Sequence, residues 1–217
     1  MKTIIFDMDG VLFDTERVYD EAWHLVLTAK GANDVEEIIS KCRGFNEHDI
    51  AIKLEERFKG IAKGEDCVRE LVETTQEIID ERGVPLKPGV FELLDYLKEN
   101  NYEIGLATST RREIVLKYLK ETKLEGYFKF LTTGDMVTNG KPNPEIYLIA
   151  CGNFDRDPKE CIAIEDSING IKAGINAGMK VIMVPDIVQP SKELEDKLWN
   201  KVDSLIEVKR FLENENN

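Results

Sequence analysis

The sequence predicts an α/β protein: a parallel sheet core with helices on both faces, interrupted near its start by a small helical bundle. Short apolar, β-branched runs alternate with helix-like stripes over the later part of the chain, the pattern of a parallel sheet covered on both sides. One long stretch, residues 15–83, carries helical stripes and no convincing strand. The apolar runs end repeatedly in acids, hydroxyls or a lysine, and the ends of parallel strands share one edge.

Taken in order, Thr3–Phe6 is the first expected strand, and it stops at Asp7, with Asp9 and Gly10 just beyond. The stripes Val18–Ala29, Val35–Cys42, Asp49–Phe58 and Cys67–Glu81 make the helical insert, and "VPLKPGV" is the turn-rich return to the sheet. The domains are therefore expected to be a core of 1–14 and 84–217 and an inserted bundle of 15–83. Phe91, Leu93, Leu94 and Leu97 form a stripe before the strand Glu103–Ala107, and Ile114, Val115, Tyr118 and Leu119 form one after it. Strands are expected at Lys129–Thr132, Cys161–Ile164 and Lys180–Val184. Asn143-Pro144 reads as a helix start with proline in the first turn, opening a helix through Ile146 and Ile149. Ser167–Ala177 is a further helix, whose Gly170, Gly174 and Gly178 suit close packing on the sheet, and Ser204–Leu212 closes the chain.

The bulk numbers exclude several classes. With 217 residues the chain can bury a substantial core, and 42% hydrophobic with 33% charged residues is a globular composition. A net charge of −13 without clustered Lys and Arg argues against nucleic acid as a partner. No apolar stretch reaches the ~20 residues that cross a bilayer, so no membrane role is expected. Cys42, Cys67, Cys151 and Cys161 contain no C-x-x-C pair, which removes a zinc or dithiol reading and suggests reduced thiols in a cytoplasmic protein. His24 and His48 lie in helix-like segments with no catalytic partner in view.

The strand ends carry the chemistry. Asp7 and Asp9 end the first strand, Thr108, Ser109 and Thr110 the second, and Glu165 and Asp166 the fourth; Lys141 follows the third, directly before a helix. Each piece alone has a bland reading: a solvated turn, an N-cap supplied by Ser109 or Thr110, a surface lysine, or acids that complement a helix dipole. Together they would place four carboxylates at one edge. Two like charges ~4 Å apart repel by about 4 kcal/mol at an effective dielectric of 20. A hard divalent cation relieves that crowding, and carboxylates with water and a phosphate are the usual magnesium arrangement. A lysine, a threonine hydroxyl and helix-start N–H groups suit the remaining phosphate oxygens.

The stretches "FDMDGV", "LATST", "GKPNPEIY" and "IAIEDSINGIKAG", in this order, resemble the haloacid dehalogenase superfamily, from the first residues to about Pro185. The resemblance implies a Rossmann-like core. The insert resembles the alpha-helical cap of the subgroup that contains phosphoglycolate phosphatase, sugar phosphatases and beta-phosphoglucomutase. It further implies Asp7 as the nucleophile that becomes an aspartyl phosphate and Asp9 as the acid that protonates the leaving oxygen and then activates water. Magnesium would be held by Asp7, the Asp9 backbone carbonyl and Asp166, with Glu165 in support. Thr108 and Lys141 would hold the transferring phosphoryl group, with Ser109 beside them, and Glu16 in the "DTE" stretch is a candidate substrate contact.

The expected activity is hydrolysis of a small phosphorylated metabolite, a sugar phosphate or similar, by a monomer. The alternative within the family is a beta-phosphoglucomutase-like mutase. Such mutases hold the sugar phosphate with a histidine and an arginine from the cap, and the resemblance aligns Tyr19 and Glu47 at those positions, with His48 or Arg43 as partial substitutes. From other classes, a phospho-accepting receiver switch also gathers acids, Thr and Lys at strand ends but would have no helical insert. A binding protein that kept the fold would lack one of the reactive groups. A P-loop fails because five residues separate Gly134 from Gly140 and Pro142 follows Lys141. No G-x-G-x-x-G follows the first strand, so a dinucleotide site fails as well.

Overall fold

The structure, a computed structural model, describes residues 2–42 and 47–215. The chain divides into two compact units, one of Met1–Asp14 with Leu86–Asn217 and one of Thr15–Pro85.

The first unit is built on strands β1 (Thr3–Phe6), β2 (Glu103–Ala107), β3 (Phe130–Thr132), β4 (Cys161–Glu165), β5 (Lys180–Met183) and β6 (Asn200–Lys201). All neighbours pair in parallel, in the order β3-β2-β1-β4-β5-β6. Every residue of β1 and β4 is buried, as expected for central strands whose two faces both meet helices. The strand order reverses at β1 and β4, and such a switch point leaves a crevice at the carboxyl ends of the strands. Hydrogen bonds continue past those ends: Asp7 N–H donates to Ile164 O (2.9 Å), Thr108 N–H to Thr132 O (3.0 Å) and Val184 N–H to Glu165 O (2.8 Å). The first residues beyond the strands are therefore as fixed as the strands themselves.

The helices of this unit are α5 (Val90–Glu99), α6 (Arg112–Glu121), α7 (Glu145–Asn153), α8 (Ile168–Ala177), α9 (Lys192–Glu195) and α10 (Leu205–Glu215). Ile146, Tyr147 and Ala150 of α7 and Ile171 and Ala173 of α8 bury one core with Ile5, Ala107, Ala163 and Val181 of the sheet. α5 packs against β2 and α10.

Several boundaries differ from expectation. β6 has no counterpart in the sequence reading, because two half-buried polar residues carry no apolar signal. β3 begins at Phe130, β4 extends to Glu165, β5 ends at Met183, and α10 continues to Glu215. Pro144, not Asn143, is the capping residue of α7, although the Asn143 Oδ1 accepts from Glu145 N–H at 3.0 Å. Arg111 caps α6, so neither Ser109 nor Thr110 does. Gly178 is the left-handed end of α8 (φ +86°), where a Cβ would meet nothing, whereas a Cβ on Gly174 would lie 2.8 Å from Val181 of the sheet.

The second unit contains α1 (Thr15–Ala29), α2 (Val35–Cys42), α3 (Glu47–Arg57) and α4 (Gly64–Arg82). Its own core gathers Trp23, Leu27, Ile39, Leu54, Phe58 and Leu71. α4 packs on both α1 and α3, and ion pairs fasten the bundle from outside, among them Arg82 to Glu21 (2.8 and 2.9 Å). All four cysteines are buried free thiols, and no helix among the described residues is long and apolar enough to cross a membrane.

Candidate active site

The acids and the lysine meet at the carboxyl end of β1. Asp7 follows the strand directly and is 8% exposed. The chain then folds back in a tight turn in which Leu12 and Phe13 N–H donate to Met8 O and Gly10 N–H donates to Phe13 O. Gly10 sits in the left-handed region (φ +76°), and a Cβ there would lie 2.2 Å from Asp166 Oδ2. Glycine at this position admits the turn and the Asp166 carboxylate together.

Lys141 reaches in from the loop before α7. Its ammonium donates to Asp7 Oδ1 (2.8 Å), Glu165 Oε1 (2.7 Å) and Ala107 O (3.2 Å). Lysine has three N–H donors, so these acceptors satisfy all of them. Glu165 is fully buried; its Oε1 also accepts from Tyr147 Oη–H (2.7 Å), and its Oε2 accepts from Ser167 Oγ–H (3.2 Å) and N–H (3.4 Å). Asp9 Oδ2 accepts from Thr110 Oγ1–H at 2.6 Å and more distantly from Thr108 Oγ1–H at 3.5 Å, while Thr110 N–H donates to Thr108 Oγ1.

One oxygen each from Asp7, Glu165 and Asp166 lie within 4.8 Å of one another. Their repulsion shows in Asp7, whose carboxyl is pushed up to about 7 by burial first and by the Glu165 charge next, against the pull of Lys141. Burial alone would lower the Lys141 ammonium, but Asp7 and Glu165 hold it above its ordinary range. Burial and the Glu165 charge push the Tyr147 phenol well above 10, so it stays a neutral donor.

Asp7, Asp9, Thr108, Lys141, Glu165 and Asp166 are thus brought to one edge of the sheet. Ser109 is exposed, and the hydroxyl that meets Asp9 is that of Thr110. Glu16 lies half-buried in the first turn of α1, in the other unit. Tyr19 stands edge-on to Trp23 (5.9 Å) within that unit, and His24 and His48 are exposed. Arg43 and the Glu47 side chain lie outside the described residues. Sequence reasoning put Thr110 in the strand-end hydroxyl cluster without giving it a role, and missed Tyr147 and Ser167 as members of the site. Residues two apart in extended backbone face one side, which was the available signal for Thr110 beside Thr108.

The profile of the haloacid dehalogenase-like hydrolases matches residues 4–184. The phosphorylated carbohydrates phosphatase of Thermotoga maritima is 35% identical over 182 residues, 84% of each chain. Among solved structures, CbbY from Rhodobacter sphaeroides in complex with phosphate superposes with a TM-score of 0.76 at 25% identity over 96% of both chains. Beta-phosphoglucomutase from Clostridium difficile does so with a TM-score of 0.76 at 25% identity, over 99% of this chain and 96% of that one.

Proposed function

This chain belongs to the haloacid dehalogenase-like hydrolase family, and from that premise we propose that it is a magnesium-dependent phosphatase of a small phosphorylated metabolite, a sugar phosphate, working through an aspartyl phosphate. The observation that carries the reading is Lys141, clasped between the buried carboxylates of Asp7 and Glu165 with Asp166 beside them.

Asp7 is the nucleophile. One of its oxygens attacks phosphorus in line, the bond from phosphorus to the ester oxygen breaks, and Asp9 donates its proton to that oxygen. Asp9 then takes a proton from water as the water attacks phosphorus; the bond to Asp7 breaks and inorganic phosphate is released. Lys141, exchanging one of its present acceptors for a phosphoryl oxygen, and Thr108, with Ser109 beside them, hold the transferring phosphoryl group, since phosphoryl transfer asks mainly for positioning and charge stabilisation. Thr110 keeps Asp9 aimed through the 2.6 Å bond its hydroxyl donates to the Asp9 carboxylate.

The donor set fits a magnesium ion: it is all oxygen, and Asp7, Glu165 and Asp166 crowd together beside the Lys141 ammonium. Asp7, Asp166 and the Asp9 carbonyl would hold it, with Glu165 adding charge from behind. When bound, the ion supplies positive charge that keeps Asp7 ionised and offsets charge on the phosphoryl group. We assign substrate selection to the helical unit, with Glu16 as its candidate contact. The mutase alternative lacks support at Tyr19, which offers a phenol where those enzymes use an imidazole.

The test is phosphate release from p-nitrophenyl phosphate and a panel of sugar phosphates. Many turnovers per chain with magnesium and none with EDTA are expected. A stoichiometric burst that stops would favour a phospho-accepting switch. Conversion of beta-glucose 1-phosphate to glucose 6-phosphate in the presence of its bisphosphate, faster than phosphate release, would establish the mutase.

A further inference from the structure

Tyr147 takes no part in the steps above, yet its hydroxyl lies in the middle of the site. It is the largest fully buried side chain among the described residues. A buried phenol carries a desolvation cost that phenylalanine in the same space would avoid, so its hydroxyl matters through what it bonds. That partner is Glu165 Oε1 at 2.7 Å.

Glu165 is held on every side. Tyr147 and Lys141 bind one oxygen, Ser167 binds the other, and α8 comes so close that a Cβ on Gly170 would lie 1.9 Å from the carboxylate. Lys141 in turn hangs from Glu165, Asp7 and Ala107 O, with its ammonium 5.2 Å from the centre of the Tyr147 ring. These three acceptors differ in what the reaction does to them. Asp7 loses its charge when it is esterified, and Ala107 O is a neutral carbonyl at the longest distance. Glu165 is the one full charge that holds Lys141 before, during and after transfer. A lysine is a flexible four-carbon arm, and its ammonium is only as well placed as its acceptors.

We propose that Tyr147 is a positioning residue: its hydroxyl pins Glu165, and Glu165 pins Lys141 at the place where the phosphoryl group must sit. The catalytic consequence rests on the phosphatase reading, whereas the pinning of Lys141 does not, and the two can be separated by experiment.

The variant is Tyr147→Phe, which keeps the ring and removes the hydroxyl. In metal-free protein labelled with 15N at lysine, the Lys141 ammonium is expected to give a resonance protected from water exchange, and the variant to exchange about tenfold faster or more. With p-nitrophenyl phosphate and magnesium, kcat is expected to fall about 10-fold or more, the scale of a small misplacement of a catalytic group, with KM changed less than threefold. The melting temperature should stay within about 5 °C, as a volume-conserving core change allows. Unchanged Lys141 exchange in Tyr147→Phe overturns the proposal whatever the activity. So does a chain that loses its fold, or one that loses stability while its folded fraction keeps wild-type kcat, because the hydroxyl would then be structural only. Faster exchange in a protein whose wild type shows no turnover would leave the positioning intact and remove the phosphatase reading instead. Tyr147→Leu, which removes the ring as well, should lower kcat at least as far and lower stability further; a Leu variant with more activity than the Phe variant also overturns the proposal.

Discussion

Replacing Asp7 by Asn should end turnover and, in magnesium-free buffer, make the protein more stable. Burial and the neighbouring Glu165 charge raise the Asp7 carboxyl from its ordinary 3.8 to about 7 in the folded chain. At about 1.4 kcal/mol for each pH unit, that rise corresponds to roughly 4 kcal/mol. The attraction to Lys141 is already contained in it, since it acts on the same ionised form. A carboxyl raised on folding favours the folded state only while neutral: its contribution is whole below pH 3.8, drains away as pH rises, and is gone above 7. Asn is neutral throughout. Relaxation of the site reduces the figure, so the Asn variant should gain about 2–4 kcal/mol at pH 8, or roughly 5–10 °C in melting temperature for a chain of this size. At pH 5 the gain should shrink to less than half. Thermal and urea denaturation in EDTA at both pH values measure it, beside phosphate release with magnesium. An Asn variant no more stable than wild type at pH 8, or one whose gain is the same at pH 5, would refute the electrostatic account of the site. Turnover surviving in clean variant protein would refute Asp7 as nucleophile.

Lys141→Met leaves Asp7 and Glu165 buried without their shared cation, and should cost about 3–5 kcal/mol of stability by urea denaturation, most of it at high pH. Gly10→Ala forces a left-handed alanine whose Cβ would sit 2.2 Å from Asp166 Oδ2; magnesium affinity, read from the ion's effect on melting temperature, should fall about 10-fold or more. Thr110→Val removes the 2.6 Å bond to Asp9, and kcat should drop about 10-fold while KM and stability hold, because proton transfer alone depends on that alignment.

The parts of the fold that showed in the sequence are those where burial dictates composition. β1 and β4 are buried on both faces and read as unbroken apolar runs, so Asp7, Glu165 and Asp166 stand out as the points where those runs stop. Lys141 could be placed because it lies between a strand and a helix whose order was clear. β6 was illegible because an edge strand of Asn200 and Lys201 needs no apolar residue. Tyr147 was hidden by its own chemistry. Its position beside Ile146 is core, while Ile149 on the same helix is only half-buried. A tyrosine in a loop-to-helix segment gives no local sign that its hydroxyl will face a carboxylate eighteen positions on. Thr110, not the exposed Ser109, meets Asp9, because extended backbone turns neighbours to opposite sides and residues two apart to the same one.

The insertion of the helical unit directly behind β1 bears on how the chain comes together during synthesis. Thr3 pairs with Glu103 on one side and Cys161 on the other, so the strand that leads into Asp7 must wait for residues made long after it. The bundle of Thr15–Pro85 needs only its own local contacts, and closing short loops is faster than closing long ones. The bundle is therefore expected to complete first as the chain leaves the ribosome. The first carboxylate of the site to be translated is then among the last to be enclosed.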